Sequence, residues 1–189
     1  TIRQFLQVWR FLRLESRERE LVFYSEGPDN WPHIGPLVEE VAIRQNRNIC
    51  YVSSSPEDPG LTLNHLNIRR FLVGSGAARI LFFESLDAAV CIMTMPDLDS
   101  FYLKRSHHPV HYVYVFHSIV STHMIYRPQA FDAYDTVFCA GPHHIQEIRA
   151  TEAKGDLTRK NLVEFGYCRL DHSHGCQDKS ALSSYRPEV

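Results

Sequence analysis

Seven short apolar runs recur along the chain, and their regular spacing constrains the fold more than any other feature of the sequence. Each run is rich in β-branched and aromatic residues and ends at or beside Gly, Ser, His or Pro, as strands commonly do. The runs cover residues 21–27, 48–55, 69–74, 88–95, 111–118, 135–141 and 161–167. They are continuous rather than alternating, which indicates strands covered on both faces, as in a parallel sheet.

Amphipathic stretches separate most of these runs. In residues 33–46 ("HIGPLVEEVAIRQN") the apolar positions recur at the spacing of one helical face, and residues 77–88 and 142–155 also have a helical pattern. Alternating strands and helices, joined by right-handed crossovers, predict an α/β fold with a Rossmann-like, doubly wound and mainly parallel sheet.

The composition suits one compact domain with a sizeable core, since the 189 residues are 44% hydrophobic. A net charge of −2 argues against a general nucleic-acid binder, because it provides no basic excess to neutralise phosphates. The chain contains no run of about 18 apolar residues, and its first segment lacks the features of a signal peptide. We therefore expect a cytoplasmic protein.

The cysteines fall into two groups. Cys50, Cys91 and Cys139 lie within apolar runs, where a thiol behaves as a small hydrophobic side chain, so we expect them in the core. A second group brings together residue types that bind zinc, namely Cys168, Asp171, His172, His174 and Cys176. Its spacing, C-x3-H-x-H-x-C, matches no standard zinc finger or ribbon. We predict no metal and no cofactor, and assign residues 172–189 to a tail or linker.

The fifth run, within "HYVYVFHSIVSTH" (111–123), ends in a cluster of imidazoles and hydroxyls. These are His117, Ser118, Ser121, Thr122 and His123. In open parallel sheets ligands bind beyond the carboxyl ends of the strands, which is where these residues fall. The sequence therefore predicts a site at this edge.

Two glycine-containing turns follow other strands. Gly74 and Gly76 allow a tight turn into a helix whose free N–H groups suit an anion. Gly141 precedes the second turn, which continues with Pro142, His143 and His144; a plain helix start explains this turn equally well. The dinucleotide and P-loop motifs are absent, so the sequence indicates neither a nicotinamide enzyme nor a P-loop NTPase.

Three features occur in order along residues 70–171: the strand ending in His117, the stretch "FDAYDTVFCAGPHH" (131–144) and the closing "GYCRLD" (166–171). Together they resemble the CDP-glycerol glycerophosphotransferase family of teichoic-acid primases and polymerases. The resemblance implies a bacterial GT-B enzyme of cell-envelope polysaccharide synthesis, with an acceptor-binding and a donor-binding Rossmann-like domain. Residues 21–171 then correspond to the N-terminal, acceptor-side domain, and residues 172–189 lead toward the nucleotide-binding one.

The implied activity moves glycerol phosphate from CDP-glycerol to a hydroxyl of a lipid-linked or polysaccharide acceptor and releases CMP. His117 is then the candidate general base, since histidine accepts a proton near neutral pH. The remaining candidates bind substrate: Gly74, Gly76, Ser118, Ser121, Thr122, His123, Gly141, His143, His144 and Arg169.

Other interpretations of these residues stay open. His117 also fits a strand-end histidine bonded to the main chain, and the hydroxyls of residues 118–122 fit caps of a helix starting near Thr122. Ser118 and Cys168 depart from the family pattern, which usually has glycine and proline there. The alternative functions are another GT-B enzyme, such as a nucleotide-sugar glycosyltransferase or a UDP-GlcNAc 2-epimerase relative, or a truncated, non-catalytic binding domain.

Residues 1–20 are predicted to form an amphipathic helix. Its apolar face holds Ile2, Phe5, Leu6, Trp9 and Leu12, while Arg3, Arg10, Arg13 and Arg17 lie largely off it. Trp and Arg favour an anionic membrane surface, whereas the three glutamates at 15, 18 and 20 oppose it. Two interpretations are therefore open: peripheral attachment to the inner face of the cell membrane, or a helix packed on the protein.

Overall fold

A computed structural model describes residues 1–173, with side chains described as far as residue 170. It contains a seven-stranded, all-parallel sheet, and every strand overlaps one of the predicted apolar runs. The strands are β1 (Leu21–Ser25), β2 (Ile49–Ser53), β3 (Ile68–Leu72), β4 (Val90–Met93), β5 (His111–Val115), β6 (Thr136–Cys139) and β7 (Asn161–Glu164). The prediction of an α/β, Rossmann-like fold is confirmed.

The strand order is β3-β2-β1-β4-β5-β6-β7. The chain builds the sheet outward from β1 in one direction and then crosses back to build it in the other. This reversal makes β1 and β4 neighbours and creates a topological switch point, where crevices open beyond the carboxyl ends of the strands. Strand β5, which leads to His117, lies next to β4.

The helices cover both faces of the sheet. They are α1 (Ile2–Leu12), α2 (Trp31–Glu39), α3 (Ala77–Ser85), α4 (Thr122–Ile125), α5 (Pro142–Gly155) and α6 (Cys168–Ser173). The predicted helical segments correspond to α2, α3 and α5, and α2 continues into a π-helical turn, Glu40–Arg44. Side chains of α1, α3 and α5 pack in one core layer, and those of α2 in the other.

Burial on both sides explains the strand composition. Tyr24, Tyr112 and Tyr114 point into the first layer, and Phe23 and Tyr51 into the second. The three cysteines expected in the core are buried there as free thiols. Burial raises the pKa of Cys50 and of Cys139 to about 12, so both remain protonated and unreactive at neutral pH.

Helix α1 packs on the first layer through residues outside its predicted apolar face. Val8 and Phe11 are fully buried, and the Phe11 ring lies 5.5 Å from that of Phe71 and 5.1 Å from that of Phe82. The predicted face is largely exposed, at Ile2, Phe5, Leu6 and Trp9. The helix is therefore docked on the domain and still presents an apolar surface, so the structure combines features of both interpretations.

Candidate functional site

His117 lies directly beyond β5 and is half-buried. Its Nδ1 is 3.3 Å from the Tyr114 hydroxyl, and its ring also hydrogen-bonds to the main chain of Thr94. The Tyr167 hydroxyl donates to its carbonyl oxygen at 3.1 Å. Burial lowers the pKa of His117, and the Thr94 bond opposes this only in part. The imidazole is therefore neutral at pH 7 and able to accept a proton.

A second histidine, absent from the sequence predictions, lies beside it. The ring of His33, in the first turn of α2, has its centroid 6.1 Å from that of His117 and 5.4 Å from that of Tyr167. Burial lowers the pKa of His33 to about 4, and the nearby His117 and Arg169 side chains lower it further. Arg169, a predicted substrate-binding residue, lies on α6, the helix that packs against α2 and so against the element that carries His33.

Tyrosines form one wall of the site. The Tyr114 hydroxyl donates to that of Tyr126 at 3.3 Å, and the Tyr126 ring lies 6.1 Å from His117. Burial raises the pKa of both phenols, that of Tyr114 strongly, so both are neutral at pH 7. The wall therefore offers hydroxyl groups and aromatic surface without negative charge.

Two of the three hydroxyl-bearing residues that follow His117, Ser121 and Thr122, donate hydrogen bonds to Glu147 on α5. The main-chain N–H and the Oγ1 of Thr122 donate to the Glu147 carboxylate at 2.6 and 2.7 Å, and Ser121 donates as well. Ser118 accepts from the main-chain N–H of Val120 at 3.4 Å. The hydroxyls therefore do not cap α4; the Glu147 carboxylate does. Substrate binding by Ser118, Ser121 and Thr122 stays a prediction.

We expect Glu147→Gln to destabilise the protein at pH 7 but not in strong acid. Burial alone would raise the pKa of Glu147, but the bonds from Thr122 and Ser121 hold it at about 2. A depressed carboxylate pKa stabilises the fold above pH 4.5, and this contribution disappears as pH falls toward 2. Discounted for partial exposure, the loss is about 1–2 kcal/mol. Urea titrations at pH 7 and pH 2.5 measure it.

The exposed Glu57 provides the control, since Glu57→Gln should leave stability nearly unchanged at both pH values. An equal loss for Glu147→Gln at pH 7 and pH 2.5 would contradict the linkage.

His144 is a fully buried histidine with two main-chain partners. Its Nδ1 accepts from the Ala140 N–H at 3.3 Å, and its Nε2 donates to the Val120 carbonyl at 3.0 Å. Its ring lies 4.0 Å from that of Phe116. These contacts fix the loop after β5 against the start of α5.

His143 and His123 are exposed. His143 Nε2 donates to the Ile119 carbonyl at 3.0 Å, and Gly141 forms the N-cap of α5 as the glycine turn predicted. His123 lies on α4 and lines a groove of about 500 Å³ between α5 and the loop 126–132. Contact of these three residues with substrate stays a prediction.

The turn containing Gly74 and Gly76 lies far from His117. It follows β3, the edge strand, and three strands separate β3 from β5, which places it roughly 19 Å away. Gly74 adopts a positive φ of 68°, and a Cβ there would overlap the Gln4 side chain of α1. The turn is thus packed under α1, and the structure does not bring it together with the other candidates.

A cavity of about 320 Å³ lies at the switch point itself. Glu26, directly after β1, and Arg79, on α3, border it together with residues 95–97, which follow β4. Arg79 Nη1 is 3.6 Å from Glu26 and 3.4 Å from the Tyr24 hydroxyl. Burial raises the pKa of Glu26, and the Arg79 charge opposes this shift.

Within residues 1–170, whose side chains the structure describes, no three or more His, Cys, Asp or Glu side chains come together as a metal site. Of the possible zinc ligands only Cys168 falls in this range; the side chains of Asp171, His172, His174 and Cys176 lie outside it. None of the helices in this part of the chain is long and apolar enough to cross a bilayer. No protein-family model matches the sequence, and a search of curated proteins finds no significant match.

Proposed function

We propose that this domain is the acceptor-binding half of a transferase that moves glycerol phosphate from CDP-glycerol to an acceptor hydroxyl and releases CMP. The observation that carries the proposal is the neutral, half-buried His117 at the carboxyl edge of β5. The Rossmann-like sheet and the sequence resemblance support it. The acceptor is a lipid-linked or polysaccharide hydroxyl.

In this proposal His117 acts as the general base. The acceptor hydroxyl gives its proton to the imidazole as its oxygen forms a bond to the β-phosphorus of CDP-glycerol. The bond from this phosphorus to the bridging oxygen breaks, and the electron pair leaves with CMP. A lowered pKa keeps the imidazole unprotonated at pH 7, and such a base contributes about 10²–10⁴-fold to rate.

The surroundings of His117 suit this role. Tyr114 and the main chain of Thr94 orient the ring, and Tyr167 fixes its main chain. A second Rossmann-like domain supplies the donor site and most of the charge stabilisation, because positioning and electrostatics dominate phosphoryl transfer. Arg169 supplies positive charge on the acceptor side.

The test is release of CMP by a protein that joins this domain to a nucleotide-binding domain. We expect CMP from CDP-glycerol when a glycerol-phosphate acceptor is present, and no UDP from UDP-GlcNAc or another UDP-sugar. Release of UDP instead would favour a glycosyltransferase or an epimerase relative. Release of neither nucleotide would favour a non-catalytic binding domain.

A lipid-linked acceptor also leads to a prediction for α1. Its exposed side chains Phe5 and Trp9 are expected to bind anionic vesicles, and replacing both with Ser should release the protein without unfolding it. Higher salt should weaken the binding. Sedimentation with phosphatidylglycerol vesicles measures it.

Val163 on β7 is the matched control, because it is a partly exposed apolar residue at the opposite edge of the sheet. Val163→Ser should leave sedimentation unchanged. Equal binding to neutral and anionic vesicles, or none to either, would contradict peripheral attachment.

A further inference from the structure

His33 contains a buried nitrogen without a partner. The residue is only 5% exposed, yet its Nδ1 makes no hydrogen bond. In the part of the chain that the structure describes, the Arg79 Nε is the one other buried side-chain nitrogen or oxygen without a hydrogen-bond partner. Buried polar atoms almost always have partners, because an unsatisfied one destabilises the fold. A buried histidine with an unpaired nitrogen therefore suggests a functional role, because the nitrogen lowers stability.

The position of His33 suggests the reason. Its ring lies against Tyr167, whose hydroxyl holds the main chain of His117, and close to the His117 ring itself. It enters the site from α2, whereas His117 enters from β5. The unpartnered nitrogen thus belongs to a side chain that borders the candidate site.

The chemistry around His33 favours a hydroxyl over an anion as the missing partner. With a pKa of about 4, the ring is neutral at pH 7, and a neutral imidazole nitrogen accepts a hydrogen bond readily. An anion can pair with this nitrogen only in the neutral tautomer that carries the proton on Nδ1. A polyol hydroxyl both donates and accepts, so it can pair with Nδ1 in either neutral tautomer.

We propose that His33 binds a substrate hydroxyl beside His117, through the ring nitrogen that the protein leaves without a partner. His33 Nδ1 has no partner in the protein, so it can accept a hydrogen bond from one substrate hydroxyl while His117 acts on another. The inference rests on the proposed function for the identity of the ligand, which is then a glycerol unit of the acceptor.

Stability provides the first test. His33→Phe keeps a ring against Tyr167 and removes the unsatisfied nitrogen, so the melting temperature should rise by about 2–6 °C. His144→Phe is the matched control: it replaces a buried histidine whose two nitrogens are both bonded, and should lower the melting temperature. A fall for His33→Phe comparable to that for His144→Phe would show that His33 is structural and would overturn the proposal.

Binding provides the second test, with sn-glycerol 3-phosphate as the probe and inorganic phosphate in parallel. We expect the probe to shift the ¹⁵N imidazole resonances of His33, and His33→Phe to weaken binding about 5- to 100-fold. His33→Asn places an amide near the Nδ1 position and should restore much of the affinity. No probe-dependent shift in the wild-type chain, or equal effects with inorganic phosphate alone, would overturn the hydroxyl assignment.

The two proposals fail separately. If CMP release is absent but His33→Phe raises the melting temperature and weakens probe binding, the His33 site stands and the transferase does not. If CMP is released and His33→Phe changes neither the acceptor KM nor the melting temperature, the His33 proposal is wrong and the transferase stands.

Discussion

Replacing His117 with alanine is expected to lower CMP release from CDP-glycerol by about 10²–10⁴-fold, the usual contribution of a general base. The change should fall mainly on kcat, because the lost interaction forms as the proton moves. In the wild type, kcat should decrease as pH falls below the ordinary histidine range, since the lowered pKa keeps His117 unprotonated until then. Steady-state kinetics of the two-domain protein between pH 5 and 8 measure both effects.

His111 is the control on the same strand. It is the first residue of β5, at the amino end of the strand, whereas His117 lies beyond its carboxyl end. Its Nε2 is 2.8 Å from the Thr136 hydroxyl. His111→Ala should therefore leave turnover near the wild-type value. Near-normal turnover in His117→Ala, with circular dichroism showing an intact fold, would make His117 a strand-end histidine held by its hydrogen bonds.

The strands were predictable because a strand buried on both faces has to be apolar along its whole length. Runs such as 48–55 and 88–95 contain β2 and β4 and are bounded by turn residues. The order of the strands was harder to predict, because crossover direction depends on packing between distant segments. The reversal at β1 and β4, which locates the switch-point cavity, therefore appeared only in the structure.

The candidate site could be predicted where its residues follow a single strand, because they are neighbours in the sequence. It could not be predicted where the order of the strands brings distant residues together. His117 and the sequence "GY" at Gly166 and Tyr167 were identified from the sequence, and the Tyr167 hydroxyl does reach the His117 main chain. His33 was missed because it lies within a segment that already fitted a helix. A signal was present: Gly27 and Pro28 follow the first strand, as Gly141 and Pro142 follow the sixth.

Hydrogen-bond partners account for the other differences. Nothing local to Ser121 and Thr122 indicates that a carboxylate 25 residues further on accepts from Thr122. The glycine turn at 74–76 was correctly predicted as a turn into a helix, but its distance from His117 follows from β3 being the edge strand. A pattern of residues identifies chemical groups and local turns, whereas their partners depend on tertiary packing.

Phe11→Ala is expected to destabilise the protein by about 3–5 kcal/mol, the usual cost of removing a buried phenylalanine. Phe11 is fully buried and contacts the rings of Phe71 and Phe82, so the change leaves a cavity between α1, β3 and α3. Urea denaturation measures this loss, and the m-value should stay unchanged.

Trp9 on the same helix is the control: it is 54% exposed, and Trp9→Ala should cost less than about 1 kcal/mol, mainly through its contact with Arg13. Similar small losses for both variants would mean that α1 is detached in solution, and the vesicle experiment would then report on a free helix rather than on a surface of the folded domain.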